Sequence, residues 1–383
     1  MKMAPARLFR EPDAPGIAWP TASDSRHAAL GELAEQCAEP NPFYHPALLL
    51  PALDHLDLGH GARLLTAEQG GMLIAAMPVM SAPRHGRLPI ANVVNWVHPH
   101  CFFGAPLLCS GREEEGWQAL LTQLDAAPWA GQLLHLTAQD EDGPVLAALQ
   151  RLCARTGRGI DRVGHYERAL LASPLSAQDY WEAQMRPKKR KEIRRLINRL
   201  DEMGTVVHRR LADPAELPDW TEDFLRIEAS GWKGANGSAI ASHPATDAYF
   251  RAALAGAQQA GMLDMLRIDC DGHAIAMLVN FRHGRGGFSY KIAIDENFGR
   301  FSPGVLIEID NLYRTQDDDA LDWMDSCAAP DHPMIDGLWA QRRRIGQYRV
   351  ALHGRGFARL SRATSFTLAG SVERARRGLR RKA

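Results

Sequence analysis

One segment in the last third of the chain combines glycines, a basic side chain and a helix start at a spacing that suits anion binding. Residues 288–294 form a predicted strand, and a helix is predicted from Pro303, a residue that suits the first turn because it has no N–H to leave unpaired. The first N–H groups of a helix lie at the positive end of its dipole and can bind a phosphate. The sequence therefore predicts a phosphate or pyrophosphate site at Gly299, Arg300, Ser302 as the N-cap, and Gly304, with an ordinary capped turn as the alternative.

A second candidate for ligand contact is the glycine-rich loop 231–240, which follows a predicted helix. Three glycines around Trp232 and Lys233 make a loop poorly suited to the core, and loops held on a rigid frame often carry binding groups. We expect both side chains to contact substrate, with Lys233 as an anion ligand; a helix end with a packed tryptophan is the alternative. Tyr290 and Lys291, in the strand that enters the anion turn, are further predicted substrate contacts.

The elements that position these residues are predicted from apolar runs and turn signals. Residues 262–270 and 273–281 are joined by Asp271 and Gly272, a pair that accepts the positive φ angles of a tight hairpin turn. The strand 288–294 follows, then the anion turn with its helix, and then a further strand over 320–325. Three antiparallel strands are therefore expected to lead into the anion turn.

Four segments resemble a known family: GWKG with GSAI, YKIAID, FSPGVLIE and DHPMIDGLW. They are similar to the acetyltransferase-like domain of CelD-type proteins, which are related to cellulose or exopolysaccharide synthesis and fall within the GNAT acyltransferase superfamily. The resemblance covers residues 179–352, and NPFYHPALL and FFGAPLL are similar to segments ahead of that domain. It implies a tandem GNAT architecture like that of the FemABX peptidoglycan transferases, and use of acetyl-CoA or another acyl-CoA. The segment 299–304 departs from the usual GNAT cofactor signature, because its glycines lie further apart.

Acyl transfer from a thioester to an amine needs a base and hydrogen-bond donors for the oxyanion. Three side chains near the anion turn are candidate bases. Asp295 follows the strand that enters the turn, Asp325 ends the next strand, and His332 follows between two prolines. A histidine titrates near neutral pH without tuning, whereas an aspartate needs its pKa raised.

Composition places the chain among ordinary soluble proteins. It has 383 residues, which favours two domains, with 45% hydrophobic and 23% charged residues. Six cysteines form no Cys-x-x-Cys pair, and the first twenty residues have no apolar core, so we expect a reduced protein of the cytoplasm. His98, His100 and Cys101 lack a second cluster of ligands, so no metal is expected.

The net charge of zero hides two basic segments. Residues 188–199 hold seven Lys or Arg residues, and residues 373–383 hold six. Without these thirteen basic residues, and the one acidic residue within each segment, the chain carries a charge of −11. The segments are therefore expected to meet an anionic partner. We expect CoA, or weak attraction of the C-terminal helix to an anionic membrane surface; nucleic acid is the less favoured partner, with tRNA as its form.

Strand and helix signals alternate, which predicts an α/β (α+β) protein with tandem GNAT-like folds, each a mixed, largely antiparallel sheet flanked by helices. The predicted divisions are a flexible N-terminal arm (1–25), an N-terminal GNAT-like domain (26–172), a C-terminal GNAT acyltransferase domain (173–360) with a helical insert (179–260), and a basic tail (361–383).

The predicted function is acyl-CoA-dependent N-acylation of an amine, or a hydroxyl, on a sugar, amino acid or envelope or polysaccharide precursor. Two alternatives stay open: a FemABX-like enzyme that uses aminoacyl-tRNA, and a non-catalytic GNAT-like protein that binds partners in polysaccharide assembly.

Overall fold

The structure, a computed structural model, describes residues 25–57, 61–354 and 357–380. The chain divides into two compact units. Unit 1 takes the chain up to Tyr166 together with the chain from Arg344 onward, and unit 2 is Glu167–Arg343. The domain limits predicted from the sequence stay predictions. Apart from Ser25, the predicted arm lies outside the described residues, as do the last three residues of the predicted basic tail.

The first half of the chain alternates helices and strands, as its pattern predicts. Its elements are α1 (Ser25–Glu35), α2 (Pro46–Leu56), β1 (Arg63–Gln69), β2 (Met72–Ala82), β3 (Asn92–Asn95), β4 (Leu107–Leu108), α3 (Glu113–Ala126), β5 (Leu133–Asp140), α4 (Pro144–Thr156) and β6 (Ile160–Leu171).

The second half carries the predicted hairpin and anion turn. Its elements are α5 (Ala177–Gln184), α6 (Pro187–Asp201), β7 (Val206–Arg210), α7 (Leu217–Ser230), α8 (Trp232–Ala235), α9 (Pro244–Gln259), β8 (Leu263–Cys270), β9 (His273–His283), β10 (Gly286–Ile294), α10 (Pro303–Gln316), β11 (Trp323–Asp325), β12 (Gln341–Ala351) and α11 (Phe357–Arg380). The predicted helical insert 179–260 is therefore interrupted by a strand, β7. Five residues are too few to show a clear alternation of apolar and polar positions.

The strands of unit 2 follow the order β11-β10-β9-β8-β7, with β6 pairing β11 at its other edge. The pairs are antiparallel except β10 with β11, which is parallel. The hairpin turn predicted at Asp271 and Gly272 is confirmed, and both residues have positive φ. In unit 1, β1-β2-β3-β5-β12 lie in this order, and β3 with β5 is parallel.

Helices cover both faces of the unit 2 sheet. On one face, α5, α6 and α10 bury apolar side chains against β8 and β9. On the other face, α7 and α9 supply Phe224 and Phe250, and Phe250 stacks on Tyr290 of β10. The mixed α/β fold class with largely antiparallel sheets is thus confirmed. On α6, Ile193, Leu196 and Leu200 are buried, and Ile197 on the same side of the helix is 42% exposed.

Candidate functional site

The pairing between β10 and β11 ends after three residues. Residues 286–288 of β10 pair with 323–325 of β11, and β10 then bulges between Ser289 and Lys291, as its register with β9 shows. After β11, the Ser326 N–H donates to a carbonyl of β6 (3.1 Å), so the chain stays beside β6 and leaves β10. A gap therefore opens between the second half of β10 and the residues that follow β11.

A buried polar network holds α10 against this bulge. The Glu308 carboxyl, on α10, is hydrogen-bonded to Ser289 and accepts from Asn311 Nδ2 (3.3 Å). Asn311 Oδ1 in turn accepts from Asn280 Nδ2 (2.9 Å), which lies opposite Ser289 on β9. Burial raises the pKa of Glu308 to about 7, because the charged form is desolvated there. This glutamate was not predicted as a site residue. The sequence feature that could have indicated it is an acidic residue between apolar positions of a core-facing helix.

Lys291 follows the bulge directly and is half-buried. Burial lowers the pKa of its ammonium group to about 8, and the positive charge of Lys233 lowers it further, against the opposing influence of Glu228 and Cys327. Cys327 lies in the segment after β11, on the other side of the gap. A lysine whose pKa lies this near neutral can exchange a proton at physiological pH.

The loop 231–240 reaches β10 through Lys233. Its Nζ donates to Glu228 Oε1 (2.8 Å) and to the backbone carbonyl of Ile292 in β10 (3.3 Å). The other oxygen of Glu228 accepts from the Ile240 N–H (2.8 Å), so the buried carboxylate holds both ends of the loop. Trp232 is 61% exposed, which excludes the packed tryptophan of the alternative interpretation. Of the two predicted contacts, Lys233 is thus engaged inside the protein and the Trp232 indole faces solvent.

The predicted anion turn forms a short 3-10 helix, Glu296–Phe301, followed by α10. The Asp295 side chain caps this short helix by accepting from the Asn297 N–H (2.9 Å). This carboxylate, predicted as a candidate base, is therefore engaged in a structural hydrogen bond. Pro303 starts α10 as predicted. Ser302 is the N-cap residue, but the prediction that its side chain caps α10 is wrong. Ser302 has φ +53°, since its N–H closes the preceding turn, and its side chain makes no capping hydrogen bond.

Gly304 places the start of α10 at the end of the gap. A Cβ added at Gly304 would lie 3.4 Å from Ile294 of β10 and 3.5 Å from Met334, in the loop after β11. Its N–H finds no intramolecular acceptor within the described part of the chain, as expected for the first turn of a helix. The Arg300 guanidinium is exposed and contacts Met203 (3.5 Å). These positions suit an anion at the mouth of the gap, with Gly299 exposed beside it.

Asp325 and His332 occupy different surroundings. Asp325 is fully buried and accepts from Arg168 (2.6 Å) and Arg343 (2.9 Å). Burial alone would raise the pKa of this carboxyl, but the two guanidinium groups hold it below its usual range, which is unfavourable for a base. His332 is half-buried in the loop that contains Met334, and its Nδ1 accepts from the Ile335 N–H (3.4 Å). His332 thus lies two residues before Met334, which adjoins Gly304, and Asp325 lies in an ion cluster.

Unit 1 contains a similar pair of strands whose gap is filled by the chain itself. β3 pairs β5 in parallel over two residues, and the chain then makes an excursion over residues 97–106 before β4 rejoins β2. Within this excursion the Gly104 N–H donates to the Ala138 carbonyl (2.8 Å). Asn95 Nδ2 donates to the carbonyls of Gly104 and Thr137 (2.9 Å each). A Cβ at Gly104 would lie 2.5 Å from the Thr137 oxygen, so only glycine fits there.

Other parts of the described chain offer fewer reactive or ligand-binding groups. In the described ranges, no group of three or more His, Cys, Asp or Glu residues is arranged to hold a metal ion. Burial lowers the pKa of His98 to about 3, so this residue of the excursion is neutral. None of the described helices combines the length and the apolar composition needed to cross a bilayer. A cavity of about 480 Å³ lies at the far end of α10, lined by Arg210, Asp264, Arg314, Thr315 and residues 317–321.

The part of the chain that contains the gap matches a known protein family. Residues 187–331 match the family model described as "Acetyltransferase (GNAT) domain". The region similar to this GNAT domain extends from α6 past β11. No curated protein matches the chain in sequence. The narrower resemblance to CelD-type proteins stays a prediction.

Three solved structures share the fold at low identity. FemX is similar with a TM-score of 0.53 and 9% identity, over 84% of this chain and 95% of that one. A domain described as the C-terminal part of a putative lysylphosphatidylglycerol synthetase from Agrobacterium fabrum has a TM-score of 0.51 and 12% identity, over 84% and 92%. A conserved protein of unknown function from Bacteroides thetaiotaomicron has a TM-score of 0.52 and 12% identity, over 86% of this chain and 97% of that one. These likenesses concern the fold.

Proposed function

We propose that unit 2 transfers an acyl group from an acyl-CoA to an amine. The observation that carries this proposal is the gap between β10 and the segment after β11, with the start of α10 at its end. No strand pairs with the second half of β10 on the side of β11 within the described residues, so its backbone N–H and C=O groups can pair with the amide groups of an extended arm as an added strand would. The Ile292 carbonyl, which accepts from Lys233, would have to exchange that contact. The Gly304 N–H and the dipole of α10 suit a phosphate, and Arg300 adds a positive charge nearby.

The chemistry requires a proton to move from the attacking amine to the departing sulfur. When bound, the donor supplies an acyl thioester, from which the amine forms an amide with release of the thiol. Neutral Lys291 Nζ accepts the proton that the amine loses and, once charged, donates it to the sulfur, so that no net proton is gained or lost. The pKa of about 8 suits both steps, since it lies near the pKa of a thiol.

Three other predicted groups have supporting parts in this proposal. His332, beside the mouth of the gap, is the alternative base, and its Nε2 would take the proton because Nδ1 accepts a backbone hydrogen bond. The exposed Trp232 indole offers an apolar surface for the acceptor, and Tyr290 is packed behind the bulge against Phe281. The acceptor class stays as predicted from the sequence: an amine or hydroxyl of a sugar, amino acid or envelope precursor.

Two substitutions at Gly304 test the anion site. Gly304→Asp brings a carboxylate to the start of α10, and we expect CoA affinity to fall by roughly fivefold or more, because like charges ~4 Å apart repel by about 1 kcal/mol even in water. Gly304→Ala is the matched control: its Cβ meets no atom closer than 3.4 Å, so CoA should bind nearly as well as to the original protein. Titration calorimetry with acetyl-CoA measures both. Equal affinities for the two variants would refute the phosphate site.

A further inference from the structure

The outer face of α6 carries a row of basic side chains. The row consists of Lys188, Lys191, Arg195 and Arg199, spaced by three, four and four residues, with Arg194 beside it. All five side chains are exposed, and the buried residues of α6 lie on the opposite side of the helix. In the part of the chain that the structure describes, none of the five forms an ion pair.

Two other basic residues of α6 have acidic partners. Nearby on α5 and α6, Lys189 pairs with Glu192 (3.2 Å) and Arg190 with Glu182 (3.7 Å). Like charges three or four residues apart on a helix destabilise it by about 0.2–0.5 kcal/mol per pair. A row of four therefore costs stability, whereas the charges of Lys189 and Arg190 on the same helix are compensated. Like charges at a destabilising spacing, with no compensating ion pair within the described residues, point to an external partner.

Exposed apolar side chains accompany the row. Met203 just after α6 is 48% exposed and Val207 on β7 is 44% exposed. Ile197, which is 42% exposed, lies instead on the side of α6 that holds the buried residues. β7 is the edge strand of the unit 2 sheet, so no further strand covers Val207 within the described residues. The segment 187–210 thus presents clustered cations together with large apolar side chains, which is the combination that binds anionic lipid surfaces.

We propose that the segment 187–210 docks unit 2 on an anionic lipid bilayer. Charge complementarity to lipid phosphates accounts for the unpaired row, and the apolar side chains account for a preference for lipid over nucleic acid. Proteins that bind single-stranded nucleic acid add aromatic stacking platforms, and neither α6 nor β7 contains an aromatic residue other than His208, which is paired with Asp310 (2.8 Å). This proposal does not rest on acyl transfer.

If both proposals hold, the acyl-transfer gap lies near the lipid. α6 packs against the short helix Glu296–Phe301 of the anion turn, and Arg300 of that turn contacts Met203 of the docking segment. An acceptor held at the bilayer surface would then meet the donor without leaving the membrane. The acceptor class would be an amine-bearing amphiphile.

Vesicle co-sedimentation of the full chain tests the docking. Vesicles of phosphatidylcholine with about 30% phosphatidylglycerol are compared with vesicles of phosphatidylcholine alone, at about 0.1 M and about 0.5 M salt. We expect binding only to the anionic vesicles, and weaker binding at the higher salt. Lys191→Gln with Arg195→Gln should weaken it by roughly 30-fold, since each basic residue near an anionic surface contributes ~1 kcal/mol and 1.4 kcal/mol is tenfold.

A matched control removes the same charge elsewhere. Arg84→Gln with Arg87→Gln changes two exposed arginines of the turn between β2 and β3, and should leave vesicle binding within about twofold. Equal losses in the two double variants, or equal binding to both kinds of vesicle, would overturn the proposal. Binding of tRNA with a steep salt dependence, lost in the α6 variant while vesicles bind weakly, would assign the row to nucleic acid instead. Acetyl-CoA affinity is measured in the same α6 variant. This second measurement distinguishes failure of the docking proposal from failure of the acyl-transfer proposal.

Discussion

Replacing Glu308 by glutamine should make unit 2 more stable at alkaline pH and change little at acidic pH. Glu308 is 4% exposed and lies in the polar network that joins α10 to the β10 bulge. Its neighbours are Ser289 and Asn311, so no cation compensates a negative charge there within the described residues. The introduced glutamine amide has nearly the same shape as the carboxyl group, stays neutral at every pH, and can keep hydrogen bonds with both neighbours.

The size of the effect follows from the pKa of Glu308, which rises from 4.5 to about 7 on folding. Below pH 4.5 the carboxyl is protonated in both states, so it costs nothing. Between pH 4.5 and 7 it ionises in the unfolded chain alone, and the free energy of unfolding falls as the pH rises. Above pH 7 the full cost applies: about 3 kcal/mol, because each pKa unit corresponds to ~1.36 kcal/mol.

Urea denaturation of the original protein and of Glu308→Gln, followed by circular dichroism from about pH 4.5 to about pH 8.5, measures this difference. The variant should gain about 3 kcal/mol relative to the original protein across that range. Subtracting the two curves cancels every other titrating group. Glu202→Gln, at the exposed end of α6, is the control and should give a flat difference. A flat difference for Glu308→Gln as well would refute the argument that burial keeps this carboxyl protonated.

Three further outcomes are expected. Turnover of the original protein should rise as the pH passes about 8 and Lys291 loses its proton, and Lys291→Gln should lose that rise; an unchanged pH profile would assign the proton transfer to His332. Lys233→Ala should lower the melting temperature, with a cost of about 1–3 kcal/mol, because Glu228 would stay buried without its ammonium partner; Lys233→Ala combined with Glu228→Gln should recover part of it. Asp325→Asn should cost about 3–5 kcal/mol by removing the carboxylate shared by two buried arginines, and a stable variant that had lost only turnover would restore Asp325 as a base.

Local signals predicted much of unit 2. The pair Asp271 and Gly272 fixes a hairpin because both residues tolerate positive φ, and Pro303 marks a helix start because its ring sets the right φ. The contrast between strand and helix periodicity predicted β8 to α10 in order. These features depend on neighbours in the sequence, so a single sequence can show them.

The remaining features depend on residues far apart in the chain. Asp325 looks like a free acid at a strand end until Arg168, 157 residues earlier, is placed against it. The bulge at Ser289 depends on its register with β9, and the gap depends on where β11 leaves β10. Ser302 has the residue type of an N-cap, but the preceding short helix sets its left-handed backbone and moves its side chain away from the capping position.

The filled gap of unit 1 has a consequence for ligand competition. The segment 97–106 is attached at both ends, so it competes for its site at the effective concentration of a tethered group, in the millimolar range or above for a short link. It also keeps hydrogen bonds to Asn95 and Ala138 that an incoming arm would have to replace. A free thioester at micromolar concentration would not displace it, so each chain should bind a single donor molecule, and saturation calorimetry should give a stoichiometry of one.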